Sequence, residues 1–138
     1  MIGILIIAHG ELGSTLIHCA THVLGHAPAR VASIAVAGHV DPDALLEQAK
    51  QHINDLDDGS GVLVLTDMVG GTPSNIATRA LIPGQVEGLS GANLPMLVRA
   101  LTYRQSALST VLAKATAGGK DGVFPLVAAP IPHAASRN

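Results

Sequence analysis

The sequence predicts an α/β fold, with a doubly wound, mainly parallel sheet of about four strands and helices on both faces. Short apolar runs alternate with helical patterns along the chain, and parallel neighbours need such crossovers. Hydrophobic residues make up 48% of the 138 residues but aromatic residues only 1%, so the core must be aliphatic, as in strands covered on both faces. The length suits one domain, expected at 1–128, with a disordered tail at 129–138.

The strands are predicted from short apolar runs bounded by turn residues. Three continuous runs are typical of buried parallel strands, and they cover 2–8, 31–37 and 62–66. A weaker run at 85–90 predicts the fourth strand. The segment Val123–Val127 is a candidate short edge strand, a place where proline is tolerated.

The helices are predicted from capping signals and apolar spacing. Ser14 is expected to cap a helix over 15–24, which Gly25 ends. Asp41-Pro42 opens the second helix and Thr72-Pro73 the third, with proline at the first helical position of each. The C-terminal part is expected to hold a helix after Pro95, a helix over 106–117 and a turn at 118–122.

Composition excludes several classes of function. The formal charge is −2 and the eight Lys and Arg residues are scattered, so nucleic acid is not an expected partner. Few aromatic rings and no glycine-rich nucleotide motif argue against flavin, haem and nucleotide. Cys19 is the only cysteine, which fits a reducing compartment. Without a signal peptide or an apolar run of about 18 residues, the protein is expected to be soluble and cytoplasmic, with no membrane insertion.

Two turns carry the strongest functional signals. His9 stands where the first strand ends, and Asp67 follows the third strand. In the common small doubly wound order the second and third strands flank the first, so these two turns border the crevice where ligands bind. A carboxylate bonded to one imidazole nitrogen fixes the tautomer and leaves the other nitrogen free to attack. We therefore expect His9 to be a nucleophile oriented by Asp67.

The turn after Asp67 is a candidate phosphate cradle. Gly70 and Gly71 allow positive φ angles and a close approach of the backbone to an anion. Thr72 is expected to be the N-cap of a helix whose N–H groups and dipole attract phosphate. From these residues alone, a structural histidine, a turn-capping aspartate and a plain glycine turn stay open as alternatives.

The other histidines give weaker signals. His18, His22 and His26 are spaced by four residues, which would place them on one helix face. Gly25 should end the helix before His26, and no acidic or cysteine ligand recurs at a suitable spacing, so no metal site is expected. His39, after the second strand, could border the same crevice.

Three segments together resemble the IIA component of the mannose-type sugar phosphotransferase system of bacteria. They are Ile4-Leu5-Ile6-Ile7-Ala8-His9-Gly10, the run from Val62 to Asn75 containing Asp67-Met68-Val69-Gly70-Gly71-Thr72-Pro73, and Leu89-Ser90-Gly91-Ala92-Asn93-Leu94-Pro95-Met96-Leu97. Their order and spacing also match, over about residues 2–122.

The resemblance implies a function and partners. His9 would accept a phosphoryl group from the phosphohistidine of the carrier protein HPr and pass it to a IIB protein. Asp67 would orient His9 and the Gly71-Thr72 turn would hold the phosphate, with no metal or nucleotide cofactor. The resemblance also implies a homodimer in which the last strand, around 121–127, packs on the partner subunit.

The chain departs from the family pattern in two places. The family usually reads Gly-Gly-Ser-Pro-Phe-Asn where this chain has Gly-Gly-Thr-Pro-Ser-Asn, so Ser74 replaces a bulky apolar residue. Many relatives continue into a IIB domain, so a separate IIB protein is the expected acceptor here. Whether the role is sugar uptake or regulation stays open.

Two other functions compete with this one. His9-Gly10-Glu11 is similar to the Arg-His-Gly-Glu motif of phosphoglycerate mutases and related phosphatases, but Ala8 replaces the arginine that clamps phosphate. The other alternative is a non-catalytic α/β module that senses an anion at the glycine turn.

Overall fold

The computed structural model describes residues 1–129, which form a four-stranded, all-parallel sheet with five helices. In chain order the elements are β1 (Gly3–His9), α1 (Leu12–Leu24), β2 (Val31–Val36), α2 (Pro42–Leu56), β3 (Val62–Thr66), α3 (Thr72–Ala80), β4 (Val86–Ser90), α4 (Leu94–Thr102) and α5 (Leu108–Asp121). The predicted fold class is confirmed.

The strand order is β2-β1-β3-β4, with every neighbouring pair parallel. Ile4 pairs with Val31 on one side and Leu63 on the other, which fixes the register of β2 and β3 against β1. The predicted placement of β1 between β2 and β3 is therefore confirmed. Because the strands are parallel, their carboxyl ends meet at one edge of the sheet.

The core has two aliphatic layers, one on each face of the sheet. On one face, alternate side chains such as Leu5, Ile7 and Val64 pack under α2 and α3. On the other, Ile4 and Leu65 pack under α1, α4 and α5 with their neighbours. Burying each Leu or Ile side chain contributes about 1.5–3 kcal/mol. Both layers hold β1 firmly at the centre of the sheet.

The start of α1 differs from its prediction. The helix begins at Leu12, so Ser14 lies inside its first turn and is not the cap. The Ser14 hydroxyl donates to the carbonyl oxygen of Glu11 at 3.1 Å. Gly10 has a φ of +55°, and this tight turn lets the helix start soon after β1 ends. Gly25 ends α1 in the left-handed conformation, as predicted.

The C-terminal part differs more. Gly118 and Gly119 lie within α5 and do not form the predicted turn. A Cβ atom on Gly118 would lie 2.7 Å from the Cβ of Arg99, and one on Gly119 would lie 2.8 Å from the Cε of Met96. These glycines therefore serve the close packing of α5 on α4.

The predicted edge strand Val123–Val127 is wrong within the described chain, because this segment pairs with no strand there. Its large apolar side chains are exposed. Of the predicted tail, Ala129 is exposed and non-helical, and 130–138 lie outside the described residues.

The connection between α4 and α5 carries two features with no sequence signal. The buried guanidinium of Arg104 donates to the backbone carbonyls of Ile2, Ala29 and Arg30, and so ties the amino ends of β1 and β2 together. The Tyr103 ring, which follows α4, lies 4.8 Å from the Nζ of Lys114 on α5.

Candidate functional site

His9 and Asp67 lie together at the carboxyl edge of the sheet. His9 is the last residue of β1, and Asp67 directly follows β3. The His9 Nδ1 atom is 2.7 Å from Oδ2 of Asp67, and the backbone N–H of His9 donates to the same oxygen at 3.1 Å. The structure thus brings together the two residues that the predicted strand order places in one crevice.

The electrostatics of this pair define the form of the imidazole ring. Partial burial raises the pKa of Asp67, but hydrogen bonds from the His9 ring and from backbone N–H groups outweigh it, so the pKa is lowered. An ionised carboxylate can only accept hydrogen bonds, so the Nδ1 of His9 carries the hydrogen. In a neutral ring the lone pair is then on Nε2.

The free side of the ring faces the glycine turn. The His9 side chain is 51% exposed, whereas that of Asp67 is 13% exposed. A Cβ atom built on Gly71 would lie 3.7 Å from the His9 Nε2. Gly70 and Gly71 have φ angles of +83° and +91°, which other residues rarely adopt. Glycine at these positions brings the backbone up to the unbonded nitrogen.

The start of α3 is one residue earlier than predicted. Gly71 is the N-cap, Thr72 is the first helical residue and Pro73 the second, so the expectation of Thr72 as N-cap is wrong. The turn has to end at a residue that tolerates a φ of +91°, and only glycine does so at low cost.

The helix start still offers free donors. Among residues 1–129, no acceptor is bonded to the backbone N–H of Gly71, Thr72 or Ser74. With the helix dipole, such groups attract an anion.

Sequence reasoning missed one contact of the turn. The Ser74 hydroxyl accepts the backbone N–H of Gly70 at 2.9 Å and makes a longer contact, 3.5 Å, with the carbonyl oxygen of Gly71. Ser74 stood out in the sequence only as a departure from the family pattern. A serine at the third helical position after a glycine N-cap is the signal that could have found it.

The surface next to the turn is apolar and concave. Met68 and Val69 are 56% and 80% exposed. Between α3 and the end of β4 lies a cavity of about 180 Å³, lined by Val69, Ser74 and Ser90 among others. Within residues 1–129, the Ser90 hydroxyl is the one buried side-chain polar atom without a hydrogen-bond partner.

Within residues 1–129, no other histidine forms a hydrogen bond with His9 or Asp67. The His18 and His22 rings meet edge to face on α1, with centroids 5.1 Å apart, and His26 lies beyond the end of that helix. His39 is exposed in the loop between β2 and α2. In the described part of the chain, no three His, Cys, Asp or Glu side chains are grouped closely enough to hold a metal ion.

This site can carry an anionic group on a histidine. It combines an ionised aspartate, a ring nitrogen with a free lone pair, and a helix start with free N–H groups.

Over residues 3–116 the chain matches the family described as PTS system fructose IIA component. It is 33% identical over 137 residues to the PTS system mannose-specific EIIAB component of Escherichia coli K12, covering 97% of this chain and 42% of that protein. The chain therefore belongs to the mannose-type EIIA family of the phosphotransferase system.

Solved structures show the same architecture. The phosphotransferase system component EIIA from Streptococcus agalactiae superposes with a TM-score of 0.80 at 25% identity, covering 91% of this chain and 97% of that one. The mannose/sorbose specific IIA subunit from Enterococcus faecalis gives 0.83 at 20% identity, covering 95% and 98%, which bears on the fold alone. The chain spans less than half the length of the Escherichia coli relative. No helix within residues 1–129 has the length and apolar character to cross a membrane.

Proposed function

We propose that this protein is a phosphocarrier of the sugar phosphotransferase system, taking a phosphoryl group from phospho-HPr onto His9 and passing it to a IIB protein or domain. The observation that carries this proposal is the His9–Asp67 pair. It anchors Nδ1 at 2.7 Å from a carboxylate oxygen and leaves Nε2 exposed beside the glycine turn. Family membership and the name of the Escherichia coli relative support the same role.

Phosphoryl transfer to His9 forms one N–P bond and breaks another. The Nε2 lone pair attacks the phosphorus of the donor phosphohistidine, an N–P bond forms, and the N–P bond of the donor breaks with its electron pair returning to the donor ring. The His9 ring then keeps its Nδ1 hydrogen and becomes positive, which the Asp67 carboxylate stabilises at 2.7 Å. Passing the group to the IIB protein reverses these steps.

The glycine turn and the helix start supply the phosphate contacts. The backbone N–H groups of Gly71 and Thr72, with the Thr72 hydroxyl, are the proposed donors to the phosphoryl oxygens. Gly70 is not among these donors, because its own N–H is bonded to Ser74. Its part is to adopt the φ of +83° that the turn requires. Donors set in place before reaction stabilise charge without reorganisation. No metal or nucleotide takes part in this mechanism.

We propose that the protein acts as a homodimer. The segment after α5 exposes Val123, Phe124, Leu126 and Val127, each 71–94% accessible. So many exposed apolar side chains on one short segment are typical of a contact with another chain. Packing on a second subunit would cover them.

The phosphatase alternative lacks support at the site. Ala8, which replaces the arginine of that motif, is fully buried in β1. A larger cationic side chain would have no space there. Sugar uptake and regulation are both compatible with a phosphocarrier.

The test is transfer of radiolabelled phosphate from phosphoenolpyruvate through enzyme I and HPr. Wild-type protein should take up label that is acid-labile and base-stable, and His9→Ala should take up none while keeping its melting temperature. His18→Ala is the matched control, because it removes an exposed histidine from α1, and it should label normally. Full labelling of His9→Ala, or no labelling of wild type by its cognate HPr, would reject the proposal.

A further inference from the structure

We propose that Ser74 is a positioning residue for phosphoryl transfer, fixing the Gly70-Gly71 turn so that the Gly71 N–H stays free for the phosphate; this inference rests on the proposed function. In residues 1–129, Ser74 is the only residue whose side chain bonds to either glycine. Ser74 forms no hydrogen bond with the His9 ring, so its effect must pass through the turn.

The hydrogen bond that Ser74 accepts determines which backbone N–H of the turn has no partner. At the third helical position, a polar side chain usually accepts the N–H of the N-cap residue, as in a capping box. Here the N-cap is Gly71, and the Ser74 hydroxyl accepts the N–H of Gly70 instead, at 2.9 Å. The N–H of Gly71, whose added Cβ would lie 3.7 Å from His9 Nε2, is therefore left without a partner among the described residues.

The turn needs such a restraint because it contains two glycines in succession. Glycine has more conformational freedom to lose than any other residue. On the strand side, the turn is held by the Met68 N–H, which donates to Asp67 at 3.1 Å. On the helix side, the Asn75 N–H holds the Gly71 carbonyl at 3.2 Å. Ser74 holds the remaining end, the Gly70 amide.

Three variants separate positioning from a general structural role. Ser74→Ala removes the acceptor of the Gly70 N–H. Ser74→Thr keeps the hydroxyl, and the cavity of about 180 Å³ beside residue 74 has space for its methyl group. Thr78→Ala is the matched control, since it deletes a hydroxyl one turn further along α3 that bonds only to the Ser74 carbonyl.

The measurement is the rate of label transfer from phospho-HPr at several donor concentrations. Ser74→Ala should lower kcat about three- to tenfold with little change in KM, as expected from one hydrogen bond that acts on the transition state. Ser74→Thr should restore the rate, and Thr78→Ala should match wild type. The melting temperatures of all three should stay close to that of wild type, because Gly70 is an exposed residue and water can replace the lost acceptor of its N–H.

Equal rates for Ser74→Ala and wild type would overturn the role of Ser74 and leave the proposed function standing. A loss of rate that Thr does not restore, or that Thr78→Ala shares, would also overturn it. Absence of label on wild type would instead reject the phosphocarrier function, and with it the role of Ser74.

Discussion

The two nitrogen atoms of the His9 ring are in different surroundings, and this asymmetry determines what the residue can do. Nδ1 is fixed by the largely covered Asp67 carboxylate, while Nε2 faces the glycine turn and solvent. The same carboxylate oxygen also accepts the backbone N–H of His9, so side chain and main chain are positioned by one group. A ring held in this way loses little entropy when it reacts.

Replacing Asp67 with asparagine should slow transfer without abolishing it. An amide can accept the Nδ1 hydrogen or donate to Nδ1, and donation would move the hydrogen to Nε2 and block the attack. We expect transfer to fall roughly a hundredfold, with label still found on His9. Rapid-quench measurement of label uptake checks this, and unchanged kinetics would remove Asp67 from the mechanism.

The same variant tests the electrostatics of the pair. The pKa of Asp67 is lowered on folding, so its contribution to stability is complete above its ordinary value of 3.8 and is lost as the pH falls below it. The excess stability of wild type over Asp67→Asn should shrink over that acid range. Urea unfolding followed by far-ultraviolet circular dichroism measures this difference. A constant difference down to strong acid would contradict the direction of the shift.

At the scale of elements, sequence signals were reliable where one residue type has one structural use. Apolar runs identified the four strands of the sheet, because short apolar runs bounded by turn residues are typical of buried parallel strands. The same kind of run at Val123–Val127 forms no strand within residues 1–129. His9 and Asp67 could be paired because the common small doubly wound order places β1 between β2 and β3, and the observed sheet has that order. The Gly118-Gly119 pair was wrongly read as a turn, since glycine serves turns and close packing equally well. The Ser74 contact was missed because its sequence signal, a serine at the third helical position, depends on placing the N-cap at Gly71, whereas the N-cap was expected at Thr72.

The packing of α5 on α4 makes a prediction that opposes helix propensity. In an open helix, changing glycine to alanine stabilises by about 1 kcal/mol. At Gly118 the new Cβ would lie 2.7 Å from the Cβ of Arg99, so Gly118→Ala should instead destabilise the fold by about 1–3 kcal/mol. Urea unfolding measures it, and Ala113→Gly on the exposed side of α5 calibrates propensity alone. A more stable Gly118→Ala would show that the helices separate easily.

At the scale of the whole molecule, the segment that follows α5 leaves four large apolar side chains uncovered within residues 1–129. If Phe124 and Leu126 contact a second subunit, changing both to serine should shift the protein from dimer to monomer in sedimentation velocity. The control is Val23→Ser on α1, a residue that is 60% exposed, which should leave the assembly unchanged. A monomeric wild type, or a dimeric double variant, would contradict the proposed dimer.

The aliphatic core has a consequence for how the protein can be observed. The chain has no tryptophan and a single tyrosine, and the ring of Tyr103 lies beside Lys114 where α4 meets α5. Its ultraviolet fluorescence therefore reports on that one contact. In a mixture, a partner that contains tryptophan could be excited selectively, because this chain has no tryptophan to emit. Binding of such a partner at the carboxyl edge of the sheet could then be followed through the partner's own fluorescence.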